Sequence, residues 1–272
     1  GFQREALQKQ VAVLSEKLAG IENRGREAAL ARRKQGDKPP KADPPKPLAR
    51  WEFDTDLRDS LGEMHGMAKG SARVSGGALV VDGNASWVET KPTKEQLRAK
   101  TLEAWVELGD LNQKGGGVIG VQNLSGVQFD TIVFAERESR LWMAGSNGYA
   151  RTQSFGALEE NEAHQNPVHV AIVYREDGMI TGYRNGVPYG KPYKTGMSEF
   201  PAGNSQIIFG MRHKGGGNNY LKGKIHRAQL YERALTPDEV AVSAGVESSF
   251  VGEQELAAAL GQASRKRRKE LK

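Results

Sequence analysis

Glu103 and Glu107 are the carboxylates whose spacing first invites a catalytic reading. Cleaving a glycosidic bond takes a general acid and a nucleophile or base that flank the same bond. Positions i and i+4 of a strand share a face, so both carboxylates point one way with Trp105 between them. Their backbones lie roughly 13 Å apart at about 3.3 Å rise per residue, wider than the about 5–10 Å such chemistry uses. A solvated or hydrogen-bonded strand face is the expectation, and glycoside cleavage is the least favoured of three functional readings. Asp54, Asp56 and Asp59 form a second group that could gather around calcium, which takes several oxygen ligands. The competing reading is Asx-type turn bonding to nearby backbone N–H groups.

Sugar recognition asks for an aromatic face to stack on a pyranose ring, beside Asn, Asp or Arg groups for the hydroxyls. The segment from Leu141 to Arg151 offers Trp142, Asn147, Tyr149 and Arg151 around a turn, and Asn218, Asn219 and Tyr220 offer a similar set. Core packing competes for Trp142. Trp105, opposite the apolar residues of its strand, is expected to cover the sheet's second face or to lie under a loop.

Other chemistries find little here. His65, His164, His169, His213 and His226 include no His-Glu-x-x-His and no close pair, so His65 in a turn and His169 in a strand read as structural. No Gly-x-Ser-x-Gly elbow occurs. The runs Gly115–Gly117 and Gly215–Gly217 lack the Gly-Lys-Ser/Thr of a phosphate cradle and read as turns. The chain has no cysteine, which excludes disulfides, thiolate metal sites and a cysteine nucleophile. Residues 1–50 carry 12 Lys/Arg against 6 Asp/Glu, and residues 248–272 carry 6 against 3. The body between them holds 21 basic and 24 acidic residues, so it lacks the positive face that nucleic acid requires.

The elements that position these groups are mostly short strands. Leu102, Ala104, Val106 and Leu108 alternate with Thr101, Glu103, Trp105 and Glu107, and Val168, Val170, Ile172 and Tyr174 share a face. Glu176-Asp-Gly-Met179 and Arg184-Asn-Gly-Val187 read as tight hairpin turns. Strands at roughly 10-residue spacing without helical periods between them predict an all-β sandwich or jelly roll. Thr236-Pro237-Asp238-Glu239 is a helix start with a capping box.

Helical flanks surround that body. Leu7, Val11, Leu14, Leu18, Ile21, Gly25 and Ala28 follow a heptad seam, which weakens where Gly25 occupies it. A second helical stretch is expected from Gly252 to Lys269, with Leu256, Leu260 and Ala263 on one side. Its run Arg265-Lys-Arg-Arg-Lys269 complements a helix C-terminus and reads as a solvated face. Five prolines between residues 36 and 48 set an extended spacer. The predicted organisation is a coiled-coil-like flank at 1–35, a Pro-rich linker at 36–48, a sandwich at 49–247 and a basic helical flank at 248–272. The two flanks are expected to pair as an antiparallel coiled-coil stalk or to pack on neighbouring domains. The chain opens on Gly1 rather than Met and reads as a segment of a longer protein. No apolar run reaches the roughly 18 residues of a membrane helix.

Five phrases carry a family likeness. They are Trp51-Glu-Phe-Asp with Asp59-Ser-x-Gly and His65-Gly66; Ala78-Leu-Val-Val-Asp82-Gly83; Glu103-Ala-Trp-Val106; His169-Val-Ala with Tyr183-Arg-Asn-Gly186; and Gly223-Lys-Ile running to Leu230-Tyr-Glu-Arg-Ala-Leu-Thr-Pro-Asp-Glu-Val240. Over residues 48–247 the chain resembles the laminin-G-like, concanavalin A-like lectin/glucanase superfamily. That resemblance implies a concanavalin A-like jelly roll whose rim binds a glycan or protein ligand, in an extracellular, cell-surface or periplasmic setting. Glycan-cleaving members use a Glu-x-Asp-x-Glu pattern, and the central Asp is missing between Glu103 and Glu107. The resemblance further implies a large secreted bacterial multidomain parent of the kind that carries c-type cytochrome domains, although no Cys-x-x-Cys-His lies here. The favoured reading is a noncatalytic carbohydrate- or ligand-binding module without an assured cofactor, calcium being the candidate. A purely structural or protein-interaction insert is the alternative.

Overall fold

A computed structural model describes residues 2–36, 43–215, 220–248 and 251–271. It divides into two compact units, Pro44–Ser248 and the pair of segments Gly1–Asp43 with Ser249–Lys272. Part of the predicted linker, residues 37–42, lies outside the described residues, as do Asn218 and Asn219.

The larger unit is a sandwich of two antiparallel sheets. With strands numbered in chain order, the first sheet runs β12 (Val187–Pro188), β11 (Met179–Arg184), β10 (Val168–Tyr174), β6 (Lys100–Leu108), β15 (Lys222–Tyr231), β4 (Leu79–Asp82) and β3 (Arg73–Val74). To it β1 (Ala49–Trp51) adds on β15 and β13 (Tyr193–Lys194) on β11, making nine strands among the described residues. The second sheet runs β2 (Gly66–Lys69), β5 (Trp87–Thr90), β14 (Ser205–Phe209), β7 (Gly116–Asn123), β8 (Phe129–Phe134) and β9 (Trp142–Ser146).

Period-two patterning builds the core. Leu102, Ala104, Val106 and Leu108 of β6 all enter the main apolar cluster, as the alternation predicts. Trp51 and Phe53 meet Phe209 edge-on across the sandwich, with ring centroids 4.9 and 5.4 Å apart. The expected Asn-Gly hairpin joins β11 to β12, with Asn185 at φ 49° and Gly186 at φ 74°. Both angles are positive, as a type I′ turn demands. At Gly186 a Cβ would also stand 2.4 Å from a Val246 methyl.

Helix α1 spans Phe2–Lys34 in the smaller unit, and α2 (Pro237–Ser243) belongs to the sandwich. The predicted capping box is present: Thr236 accepts from the Glu239 N–H, and the Glu239 side chain accepts from the Thr236 N–H. The expected single helix after Gly252 is instead two, α3 (Glu253–Ala259) and α4 (Gln262–Leu271). Leu260 turns extended (φ −79°, ψ 135°) ahead of Gly261, a residue that gains little from continuing a helix.

Both short helices pack on the second half of α1. Arg33 pairs with Glu255 at 2.5 Å, and Arg268 donates from Nε to Glu22 at 2.8 Å, so the contacts recede along α1 as the chain advances. The pairing is therefore antiparallel. Its apolar cluster holds Ile21, Ala29, Val251, Leu256 and Leu260. Gly25 is buried on the same face, where an added Cβ would stand 2.5 Å from Leu256 Cδ1. This corrects the reading of Gly25 as a weak seam position, because glycine is what permits the close approach. Arg268 likewise departs from a solvated basic face, being buried between Glu22 and Glu253.

Candidate functional site

The outer face of the six-stranded sheet carries an aromatic and charged arrangement over a cavity. Along β8, Ile132 and Phe134 enter the core, which leaves Phe129, Thr131 and Val133 on the opposite face. The chain after β14 crosses that face and is pinned to it. Thr131 Oγ1 donates to the Arg212 carbonyl at 2.8 Å, and the Lys214 N–H donates to Gln122 Oε1 at 2.9 Å. The His213 ring stacks flat on Phe129, with centroids 4.2 Å apart and planes 6° from parallel.

Arg212 organises the surroundings. Its Nη1 donates to Glu136 at 2.9 Å and to the Tyr149 hydroxyl at 3.3 Å, while its guanidinium lies 5.7 Å from the Phe129 centroid and 5.6 Å from that of Tyr149. A second guanidinium, from Arg137, lies 5.4 Å from the Tyr149 ring. His213 Nδ1 lies 2.9 Å from both the Gly126 carbonyl, to which it donates, and the Gly215 N–H, and Nε2 accepts from Arg212 at 3.2 Å. Both bonds suit a neutral imidazole. Burial pushes His213 below its ordinary range, the positive charge of Arg212 acts in the same direction, and the bond to Gly126 opposes them. Burial also pushes the Glu136 carboxyl up, further than Arg212 pulls it down.

Tyr149 sits on a one-turn 3₁₀ segment, Asn147–Tyr149, with Gly148 and Tyr149 both in the left-handed region at φ 56° and 57°. A tyrosine there is uncommon and costs of order 1 kcal/mol. The local fold thus holds a large ring outward, at 44% exposure. Below it Phe129, Ser146, Asn147, Arg212 and His213 line a cavity of about 250 Å³.

Only part of the first predicted set meets here. Asn147 and Tyr149 line the cavity, whereas Trp142 and Arg151 turn inward, which corrects their reading as ligand contacts. Trp142 packs against Phe134 and donates from its indole N–H to Glu160 at 2.9 Å. Glu160 also takes Arg184; although burial raises its pKa, these bonds outweigh burial and hold it at about 2. Arg151 forms a buried triad with Asp130 and Lys100, at 2.6 and 2.7 Å from the carboxylate. Tyr220 is half-buried beside Trp87 (centroids 6.0 Å), away from that cavity's lining. Sequence reasoning missed Phe129, Arg212 and His213. The basic pair ahead of the Lys214-Gly-Gly-Gly run was the available signal.

Asp54, Asp56 and Asp59 line one open cavity of about 410 Å³ but are not set around a common point. Among the described residues no group of three or more His, Cys, Asp or Glu side chains is placed to hold a metal ion. Asp59 is buried and accepts from the N–H groups of Arg50, Leu61 and Met64 at 3.0–3.2 Å. Asp56 accepts from the Arg58 N–H, and Asp54 is exposed. Turn bonding takes up Asp59 and one oxygen of Asp56, and the three aspartates are not placed as a group to hold a metal ion among the described residues, which corrects their reading as one calcium site.

Glu103 and Glu107 also part company. Glu103 is fully buried under α2, receiving hydrogen bonds from His169 (2.6 Å), Gln229 (2.6 Å), Ser243 (2.8 Å) and Tyr231 (3.0 Å). Glu107 is half-buried and pairs with Lys224 at 3.0 Å and His226 at 3.4 Å. Trp105 between them covers the second face as expected, half-buried, with Arg227 5.2 Å from its ring.

Two facing antiparallel sheets with this strand order and an aromatic rim cavity define a lectin-like jelly roll. Residues 82–241 match the laminin G family described as the concanavalin A-like lectin/glucanases superfamily, and the chain belongs to it. No curated protein sequence matches the chain. Among solved structures, it is similar to domain 4 of AbnA, an extracellular GH43 arabinanase from Geobacillus stearothermophilus solved with arabinotriose. That likeness has a TM-score of 0.56 at 20% identity and covers 74% of this chain and 100% of the domain. It is also similar to Trypanosoma rangeli sialidase (TM-score 0.56, 16% identity), over 75% of this chain and only 33% of the sialidase. The binding domain of a botulinum neurotoxin, solved with rat synaptotagmin II, matches at TM-score 0.50 and 12% identity over 73% of this chain and 51% of that one. These likenesses establish the fold.

Proposed function

We propose that the sandwich is a noncatalytic carbohydrate-binding module that takes its glycan against Tyr149. The observation that carries this reading is the part-exposed Tyr149 ring, held outward in a left-handed turn beside Asn147, with the guanidiniums of Arg137 and Arg212 5.4 and 5.6 Å from its centroid. The exposed part of this ring offers apolar surface to a sugar, and Asn147 beside it offers bonds to hydroxyls. The arabinotriose bound to the similar arabinanase domain supports the substrate class. The burial of Glu103 and the ion pairs of Glu107 support binding without hydrolysis, since neither carboxyl is left available to flank a bond. In this reading the module acts outside the cytoplasm, within a larger secreted or surface protein, and the paired helices form a stalk that joins it to the rest.

The test is a glycan-array screen of the whole chain, run with calcium and again with a chelator, beside a Tyr149→Ala variant. Binding to one glycan class, lost in the variant and unchanged by the chelator, is the expected result. Silence from demonstrably folded protein would overturn the reading in favour of a protein-interaction insert.

A further inference from the structure

The charge around Tyr149 is one-sided. No Asp or Glu lines the cavity beneath the ring, and the charged residue in its wall is Arg212. Arg212 is matched by Glu136, whose side chain is 1% exposed. Lys214, two residues further along the same segment, is held by Glu89 at 2.8 Å. Glu138 faces Ser154, whose hydroxyl donates to it at 2.9 Å. Arg137 is left over. It is exposed, its guanidinium lies 5.4 Å from the Tyr149 centroid, and it forms no ion pair among the described residues. Its backbone N–H donates to Met143 Sδ at 3.5 Å, which ties the residue to β9.

A guanidinium stays charged and presents its N–H groups in a planar fork that fits a carboxylate or a sulfate with two bonds. The Tyr149 ring attracts the guanidinium, which keeps the fork beside the surface a sugar would touch. A neutral sugar there would leave the fork to water, whereas an acidic one fills it. We propose that the glycan taken at Tyr149 is acidic, with its carboxylate or sulfate group bound by Arg137. This rests on the reading of Tyr149 as a glycan contact and adds the charge class of the ligand. Tyr149 offers what any sugar can use; Arg137 selects among sugars. The body of the chain holds 21 basic and 24 acidic residues, so the attraction belongs to this spot and not to the sandwich surface at large.

The test is an array of neutral, carboxylated and sulfated glycans probed with the whole chain, Arg137→Ala, Arg137→Lys and Tyr149→Gly. Arg137 is exposed, so its variants keep their fold, checked by an unchanged melting profile. The expected result is an acidic class bound by wild type, more weakly as salt is added. Affinity falls about tenfold or more in Arg137→Ala, falls less in Arg137→Lys, which keeps the charge without the fork, and is lost in Tyr149→Gly. Whether the carboxylated or the sulfated members bind identifies the acidic group. A neutral class bound best and lost in Tyr149→Gly would overturn this inference and leave the glycan site standing. Acidic binding indifferent to Arg137→Ala would also overturn it, and if it survives Tyr149→Gly as well it belongs to the basic helical flank. Silence on every glycan from folded protein would overturn both the inference and the glycan reading.

Discussion

Glu103 on the nine-stranded sheet and Glu136 beside the six-stranded sheet each belong to a cluster that also holds a histidine and a tyrosine, yet their carboxyls shift in opposite directions. Burial raises both. Around Glu103, bonds from His169, Ser243 and Gln229 outweigh that penalty and hold it below the usual carboxylate range. Around Glu136, the guanidiniums of Arg212 and Arg137 do not suffice, and Oε2 has no hydrogen-bond partner among the described residues. The difference is the covering element. Helix α2 closes over Glu103 and brings Ser243, whereas the segment over Glu136 brings Arg212 and leaves Tyr149 at the surface. A satisfied polar cluster fixes the fold; at the other the Glu136 carboxyl is buried and under-satisfied, and Tyr149 is the group at the surface.

The largest expected effect is on the closed side. Glu103→Ala strips four donors of their acceptor inside a sealed space and should cost about 3–5 kcal/mol in urea unfolding. A loss below about 1 kcal/mol would break the contrast between a structural and a functional face. Arg212→Ala should cost less, about 1–3 kcal/mol, and should also abolish glycan binding, because it removes the support of Tyr149 and leaves Glu136 unpaired.

Acidification acts on the two faces in different pH windows. Glu103 has a folded pKa below its unfolded value, so its stabilisation is complete above about pH 4.5 and is lost as pH falls through the folded value. His213 also has a lowered pKa, and for a base this means that the unfolded chain binds more protons below about pH 6.5, so stability falls with pH there. Comparing unfolding midpoints of wild type and His213→Asn at pH 7.5 and 5.5 should show a smaller acid loss in the variant. Glu136, shifted upward, works against the His213 loss on the same face. The smallest effect on stability is expected at Tyr149. Replacing it with Gly relieves a left-handed φ and removes a part-exposed ring with its contacts to Arg137 and Arg212, so Tyr149→Gly should stay within about 1 kcal/mol of wild type while losing binding.

How far these sites were legible in the sequence follows from the range of each interaction. Alternation in residues 101–108, the Asn185-Gly186 turn and the Thr236 capping box are local patterns, and each is found as read. Trp142 was misplaced because its partner Glu160 lies 18 residues on, across a turn. Arg151 was misplaced because Asp130 enters from another strand. Glu103 draws its donors from 66, 126, 128 and 140 residues away, and no spacing rule links them. Gly25 shows the converse: a residue that looks like a gap in a seam is the point where the helices come closest.

The central claim is that the open face binds a glycan through Tyr149 and that the closed face does not bind one. The most direct measurement is a glycan array probed in parallel with wild type, Tyr149→Gly and a variant of the other face, Trp105→Ala. The account predicts one glycan class bound by wild type and Trp105→Ala and lost in Tyr149→Gly. Binding that survives Tyr149→Gly but disappears with Trp105→Ala would contradict it and move the site to the nine-stranded sheet.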